Sequence, residues 1–227
     1  PDNAEAHNNL GNTLKEQGKL DDAVESYYQA LAIKYDYAEV HYNLGIALKA
    51  QGKMHDAVAS YRKAIVIKSD YAAAHNNLGL AFKELGKLDD AVASYLKALA
   101  IKPDYADAHN NLGNGFREQG KLDDAVASYF QTLAIKPDYA EAHNNLGITL
   151  QEQGKLDDAV ASYYKALAIK SDYAAAHNNL GRAFKELGKL DDAVASYLKA
   201  LAIKPDYAEA HNNLGNGFRE QGKLDDA

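Results

Sequence analysis

A histidine returns every 34 residues along this chain, at His7, His41, His75, His109, His143, His177 and His211, each time inside an Ala-His-Asn-Asn-Leu-Gly segment or a close variant of it. A period of that length holds one helix-turn-helix unit. Such a unit cannot bury its own apolar face and must stack on its neighbours, so the period predicts a helical solenoid. This overrides the one or two globular domains that 227 residues would otherwise allow. The repetition predicts a single array, with repeats at 4–37, 38–71, 72–105, 106–139, 140–173 and 174–207 and a partial repeat at 208–227. Function is then sought on a surface that the repeats share.

With Ala4 as place one, His7 holds place four. Pro1, Pro103, Pro137 and Pro205 end the preceding helix, and the aspartates after them, Asp2, Asp104, Asp138 and Asp206, are expected to cap the first helix of each repeat. Glu5, Asp107, Glu141 and Glu209 stand three residues on, the spacing of a capping box; Asp36 and Glu39 keep it without a proline, and Ala73 and Ala175 break it. The first helix runs to the glycine at place fifteen, Gly18 and its counterparts. In the Lys-Leu-Asp-Asp-Ala that follows, the first Asp is expected to cap the second helix, where Leu20, Ala23, Val24, Tyr27, Ala30 and Leu31 make one apolar face. The glycine at place eight, Gly11 and its counterparts, costs about 1 kcal/mol in mid-helix relative to Ala, which argues for close helix–helix approach.

Written as His-x-x-Leu-Gly-x-x-Leu/Phe, then Ala-x-x-x-Tyr, then Pro or a substitute, the unit resembles the tetratricopeptide repeat, with His in the usual Trp place. The resemblance implies antiparallel helix pairs wound into a right-handed superhelix. Its concave wall would be made by the first helices and would bind peptides or protein segments. The Asn at place six in every copy, with the His-Asn-Asn-Leu-Gly and Lys-Pro-Asp-Tyr-Ala contexts, is similar to the solenoid of O-linked N-acetylglucosamine transferases and their bacterial relatives. There the resemblance implies substrate recruitment by the repeats and sugar transfer by a separate domain. The co-chaperone type of repeat grips a carboxylate with basic residues at places two and five, whereas here those places hold mainly acids or Ala, and Asn.

At 100° per residue, places two, five, six, nine, twelve and thirteen share one side of the first helix, opposite a set that is mostly Ala, Leu and Phe. The expected wall therefore carries Asn9, Asn43, Asn77, Asn111, Asn145, Asn179 and Asn213 at place six, and Asn8, Asn76, Asn110, Asn144, Asn178 and Asn212 at place five, with Tyr42 the exception. An amide offers donors and acceptors to the backbone of an extended peptide, of which each repeat would face roughly three residues. The competing role is to bond the next repeat and hold the stack. Place nine varies most, through Asn12, Ile46, Leu80, Asn114, Ile148, Arg182 and Asn216. Place twelve is basic at Lys15, Lys49, Lys83, Arg117, Lys185 and Arg219, interrupted by Gln151; place thirteen is Glu throughout except Ala50.

The formal charge of -7 is spread evenly, leaving no basic stripe for a nucleic-acid backbone. No apolar run reaches the length of a membrane span, and Cys is absent. The repeated histidines are too far apart to share one metal ion, so they are expected to pack, as are the tyrosines of the second helices. No cofactor is implied, and no nucleophile–base set stands out, so a non-catalytic scaffold is expected. The chain opens on Pro1 without Met and stops just past Lys223 and Leu224, early in a second helix, which reads as a piece of a longer protein. An uncapped last repeat could associate end to end with another copy. The favoured compartment is the cytoplasm. Finally, residues 69–125 and 171–227 differ only at Leu80 against Arg182 and Asp107 against Glu209.

Overall fold

The computed structural model of the chain describes residues 3–222. Among them are thirteen helices and no strand: α1 Ala4–Glu16, α2 Leu20–Ile33, α3 Ala38–Ala50, α4 Met54–Ile67, α5 Ala72–Glu84, α6 Leu88–Ile101, α7 Ala106–Glu118, α8 Leu122–Ile135, α9 Ala140–Glu152, α10 Leu156–Ile169, α11 Ala174–Glu186, α12 Leu190–Ile203 and α13 Ala208–Glu220. Odd-numbered helices are the first helices of the repeats and even-numbered ones the second.

The turn inside each repeat behaves as its glycine predicts. Gly18 has φ of 76°, its N–H bonds Lys15 O, and Lys19 N–H reaches back to Leu14 O at 2.9 Å. This left-handed closure satisfies the last carbonyls of α1 and reverses the chain within three residues, which makes α1 and α2 antiparallel neighbours.

The capping expectations need correction. At α3, α9 and α13 the N-cap residues are Tyr37, Tyr139 and Tyr207, and none makes a side-chain cap bond. Pro137 and Asp138 instead form a two-residue turn, so the aspartate lies one residue too early to reach the helix N–H groups. That turn is tied by Tyr139 N–H to Lys136 O at 3.3 Å and by the Lys136 ammonium 4.7 Å from the Tyr139 ring centre. Asp2 lies outside the described residues; α1 is capped by Asn3, whose side chain accepts from Glu5 N–H and Ala6 N–H. The second helices begin at the residue before the Asp pair, with Lys19 and Lys155 as N-caps that make no side-chain bond. Asp21, Asp22, Asp157 and Asp158 therefore sit in the first turn, where negative charge favours the helix dipole.

The described residues form two compact units, one ending at Gly115 and the other beginning at Phe116. Within each, a helix packs most extensively on its repeat partner, and a second helix then packs on the first helix of the next repeat. First helices also touch one another across repeats, α1 with α3 and α3 with α5 in one unit, α9 with α11 and α11 with α13 in the other. Second helices within a unit have no such contact among the described residues. The first helices thus form the tighter, inner side of each unit.

The core explains the mid-helix glycine. Tyr27, Tyr61, Tyr95, Tyr129, Tyr163 and Tyr197 are fully buried. The rings of Tyr27, Tyr61, Tyr95, Tyr163 and Tyr197 press against the place-eight glycines: a Cβ at Gly45 would meet Tyr61 Cε1 at 2.5 Å, and one at Gly181 would meet Tyr197 Cε1 at 2.5 Å. Only a residue without Cβ leaves room for the ring.

Candidate functional site

The amide columns engage each other across repeats. Asn43 Nδ2 donates to Asn8 Oδ1 at 3.1 Å, Asn111 Nδ2 to Asn76 Oδ1 at 3.0 Å, Asn179 Nδ2 to Asn144 Oδ1 at 3.0 Å and Asn213 Nδ2 to Asn178 Oδ1 at 2.9 Å. Where Tyr42 replaces the place-five Asn, its hydroxyl accepts from Asn77 Nδ2 at 3.1 Å. Each bond joins place five of one repeat to place six of the next. The two columns consequently differ in exposure. Asn8, Asn76, Asn110, Asn144 and Asn178 are buried beneath the wall, whereas Asn212 is exposed. Asn77, Asn111 and Asn213 are half-buried, Asn43, Asn145 and Asn179 are covered, and Asn9 is exposed.

A second cross-repeat set runs along the wall's edge, from place twelve of one repeat to place thirteen of the next. Lys49 Nζ lies 3.0 Å from Glu84 Oε1, Arg117 Nη1 3.4 Å from Glu152 Oε1, and Lys185 Nζ 2.8 Å from Glu220 Oε1. Gln151 replaces the cation once and donates to Glu186 instead. Lys15 faces a repeat in which Ala50 stands where the acid would be. All these pairs are solvent-accessible, so each contributes well under about 1 kcal/mol. Lys83 also belongs to this edge of the wall, half-buried near the end of α5.

Place nine lies between the two sets. Asn12 accepts from the buried Tyr27 hydroxyl at 2.8 Å, Asn114 and Ile148 are half-buried, and Arg182 is exposed. In the second unit these side chains leave a cleft of about 330 Å³ lined by Arg117, Ile148, Gln151, Glu152, Asn179, Arg182, Glu186 and Glu209. Every one of them comes from a first helix.

The histidines are tethers. Nε2 of His41, His75, His109, His143, His177 and His211 lies 2.8 to 3.2 Å from the carbonyl six residues earlier, which requires that nitrogen to carry a proton and donate. Burial holds the pKa of His41, His75, His143 and His177 below the usual value, favouring the neutral ring that this bond uses. Among the described residues no three His, Asp or Glu side chains converge as a metal site, and no helix is long and apolar enough to cross a membrane.

Two features escape a reading of the sequence. Gln51, Gln153 and Gln221, at the ends of first helices, donate to Asp21, Asp123 and Asp191 of the preceding repeat at 2.7 to 2.8 Å. The other is an apolar cleft of about 700 Å³ on the second-helix side, between α2 and α4 over α3. Its edges carry Tyr35 and Val66, 81% and 84% exposed. The available signal was local departure from the repeat: Tyr35 stands where others have Pro or Ser, and Val66 where others have Ala.

Stacked antiparallel helix pairs with glycine–tyrosine contacts at a fixed period define a helical repeat scaffold. The chain belongs to the TPR repeat family, which it matches over residues 11–52, 47–86, 79–116, 113–154, 149–188 and 181–222. Solved structures agree in fold. A chain of the APC/C hetero-tetramer Cut9–Hcn1 superposes with a TM-score of 0.82 at 16% identity over 96% of this chain, which spans 43% of that one. PilF of Pseudomonas aeruginosa gives 0.81 at 20% identity, covering 94% of this chain and 97% of its own. YrrB, a TPR protein with an unusual peptide-binding site, gives 0.66 at 22% identity, covering 83% and 97%. No curated protein sequence matches the chain. Proteins of this family are protein-interaction scaffolds, generally without catalytic activity.

Proposed function

We propose that the inner wall of each unit binds an extended peptide or protein segment, with the chain acting as a non-catalytic scaffold. The observation that carries this reading is the cleft in the second unit, built from first-helix side chains that include Ile148 and Arg182, at the place that varies most, and Asn179, at the place that is Asn in every repeat. A surface whose frame is constant and whose lining changes from repeat to repeat can read a ligand residue by residue. In the frame, Asn43, Asn111, Asn179 and Asn213 each give one N–H to the neighbouring repeat and keep a carbonyl oxygen for a peptide N–H. Asn9 keeps both groups on an exposed surface. Lys15, opposite Ala50, supplies a cation that lacks the place-thirteen carboxylate with which Lys49 and Lys185 pair across their repeat boundaries. That the fold can carry a peptide site is supported by YrrB. A scaffold of this kind would serve equally as the substrate-recruiting region of a larger enzyme such as a glycosyltransferase.

Hydrogen exchange of the whole chain, with and without a saturating pool of unstructured peptides, tests the proposal. Protection of α9, α11 and the edge residues around Arg117 supports it. Protection confined to α2 and α4 would assign binding to the outer apolar cleft instead, and the wall reading would fail.

A further inference from the structure

We infer that internal duplication has produced two ligand subsites of different chemistry on one backbone frame, Arg182 of the second unit reading a carboxylate where Leu80 of the first reads an apolar side chain. This rests on the peptide-binding proposal above. Over the duplicated stretches 69–125 and 171–227 the chain differs at two positions, and the members of that pair in the second copy meet in space. Arg182 Nη1 on α11 lies 3.8 Å from Glu209 Oε1 on α13. Both belong to the inner wall, one at place nine and one at place two of the next repeat. Changes retained without regard to the wall have no reason to face each other across a repeat boundary; changes that reshape one subsite do.

The chemistry follows from what is already engaged. Three carboxylates line the cleft: Glu152 is paired with Arg117, and Glu186 accepts from the Gln151 amide. Glu209 is beyond hydrogen-bond length from Arg182, and both side chains are about half-exposed, so this pair holds the guanidinium only weakly. Arg182 is the one cation at place nine in the chain. It therefore keeps donors for the cleft, in the planar fork that suits a carboxylate. The ligand indicated is a segment with an acidic residue at this subsite, its neighbour resting on Ile148. Leu80, half-buried on α5, offers apolar contact only.

The test uses the intact chain and a positional-scanning pool of unstructured decapeptides with Glu, Leu or Lys fixed at one position, the captured fraction being identified by mass spectrometry. Arg182→Leu with Glu209→Asp makes the second copy identical to the first; Leu80→Arg with Asp107→Glu does the reverse. Each new residue already stands at the matching place of the other copy, and equal helical circular dichroism would verify folding. The parent should enrich Glu peptides, the first variant should lose that enrichment by about tenfold, and the second, with an Arg at both subsites, should enrich them beyond the parent. Unchanged Glu enrichment in the first variant, or selection of Lys by the parent, overturns the inference alone. Capture of no peptide by any of the three overturns the peptide-binding proposal along with it.

Discussion

Replacing Gly147 by Ala isolates the contact that spaces the helices of a repeat. An alanine Cβ there would lie 2.6 Å from Tyr163 Cε1, 2.8 Å from Cδ1 and 3.0 Å from Cζ. The first of these falls about 1 Å short of a comfortable carbon–carbon contact. The ring cannot easily retreat. It is fully buried, packs in a cluster with Tyr129, Leu146 and Leu150, and is held at its far end by a 2.9 Å bond to Gln151. Overpacking of this kind costs about 1–3 kcal/mol, while Ala improves helix propensity by about 1 kcal/mol. Because the overlap is with the body of a fixed ring, the upper part of the range applies and a net loss of about 1–2 kcal/mol is expected. The molecule holds its own control. Gly215 occupies the same place in α13, and a Cβ there would meet nothing within 4 Å among the described residues. Gly215→Ala should therefore stabilise by up to about 1 kcal/mol. Urea unfolding followed by circular dichroism measures both, and hydrogen exchange locates the Gly147 effect in α9 and α10, since repeat arrays open in segments. A Gly147→Ala midpoint raised as far as that of Gly215→Ala would refute the ring-overlap argument.

Three further outcomes are expected. His41, His75, His143 and His177 have folded-state pKa values below the ordinary 6.5, so the unfolded chain takes up protons first; stability is full above about pH 6.5 and falls as pH drops from there toward the depressed values, and changing all four to Gln should flatten the unfolding midpoint just below about pH 6.5. Asn144→Ala leaves the covered Asn179 amide without its acceptor and should cost about 1–3 kcal/mol in urea unfolding, whereas Asn178→Ala, whose partner Asn213 is half-exposed to water, should cost less; equal losses would count against the burial argument. Gly217→Ala places a Cβ 3.1 Å from Val194 Cγ2, and the same place holds a buried alanine at Ala47 and Ala183, so a gain of about 0.5 kcal/mol is expected and a lowered midpoint would show that Val194 cannot give way.

How much of this was legible in the residues can be judged element by element. Helix identity and the inner turns were, because each depends on neighbours in sequence: Gly18 and its counterparts take positive φ, and the three- and four-residue apolar spacing puts Ala23, Tyr27 and Ala30 on one buried face. The place-eight glycines were legible as sites of close approach, though not the ring that fills the space. The caps misled, since a Pro-Asp pair can serve either as a helix cap or as a free-standing two-residue turn, and only the position of the preceding helix selects the turn.

For the wall, helical rotation groups places two, five, six, nine, twelve and thirteen on one side of the first helix, because that angle is a property of a single helix. It could not separate place five from place six. Asn178 and Asn212 occupy the same place on equivalent helices, yet the first is wholly buried under α13 and the second is exposed. The difference is made by the next repeat, as are the Asn179–Asn144, Lys185–Glu220 and Arg182–Glu209 contacts. The sequence by itself determined the repeating unit and its helices, whose signals are local. The tertiary structure alone decided which polar groups hold the stack and which face outward, because that depends on helix–helix contacts between residues about 35 positions apart.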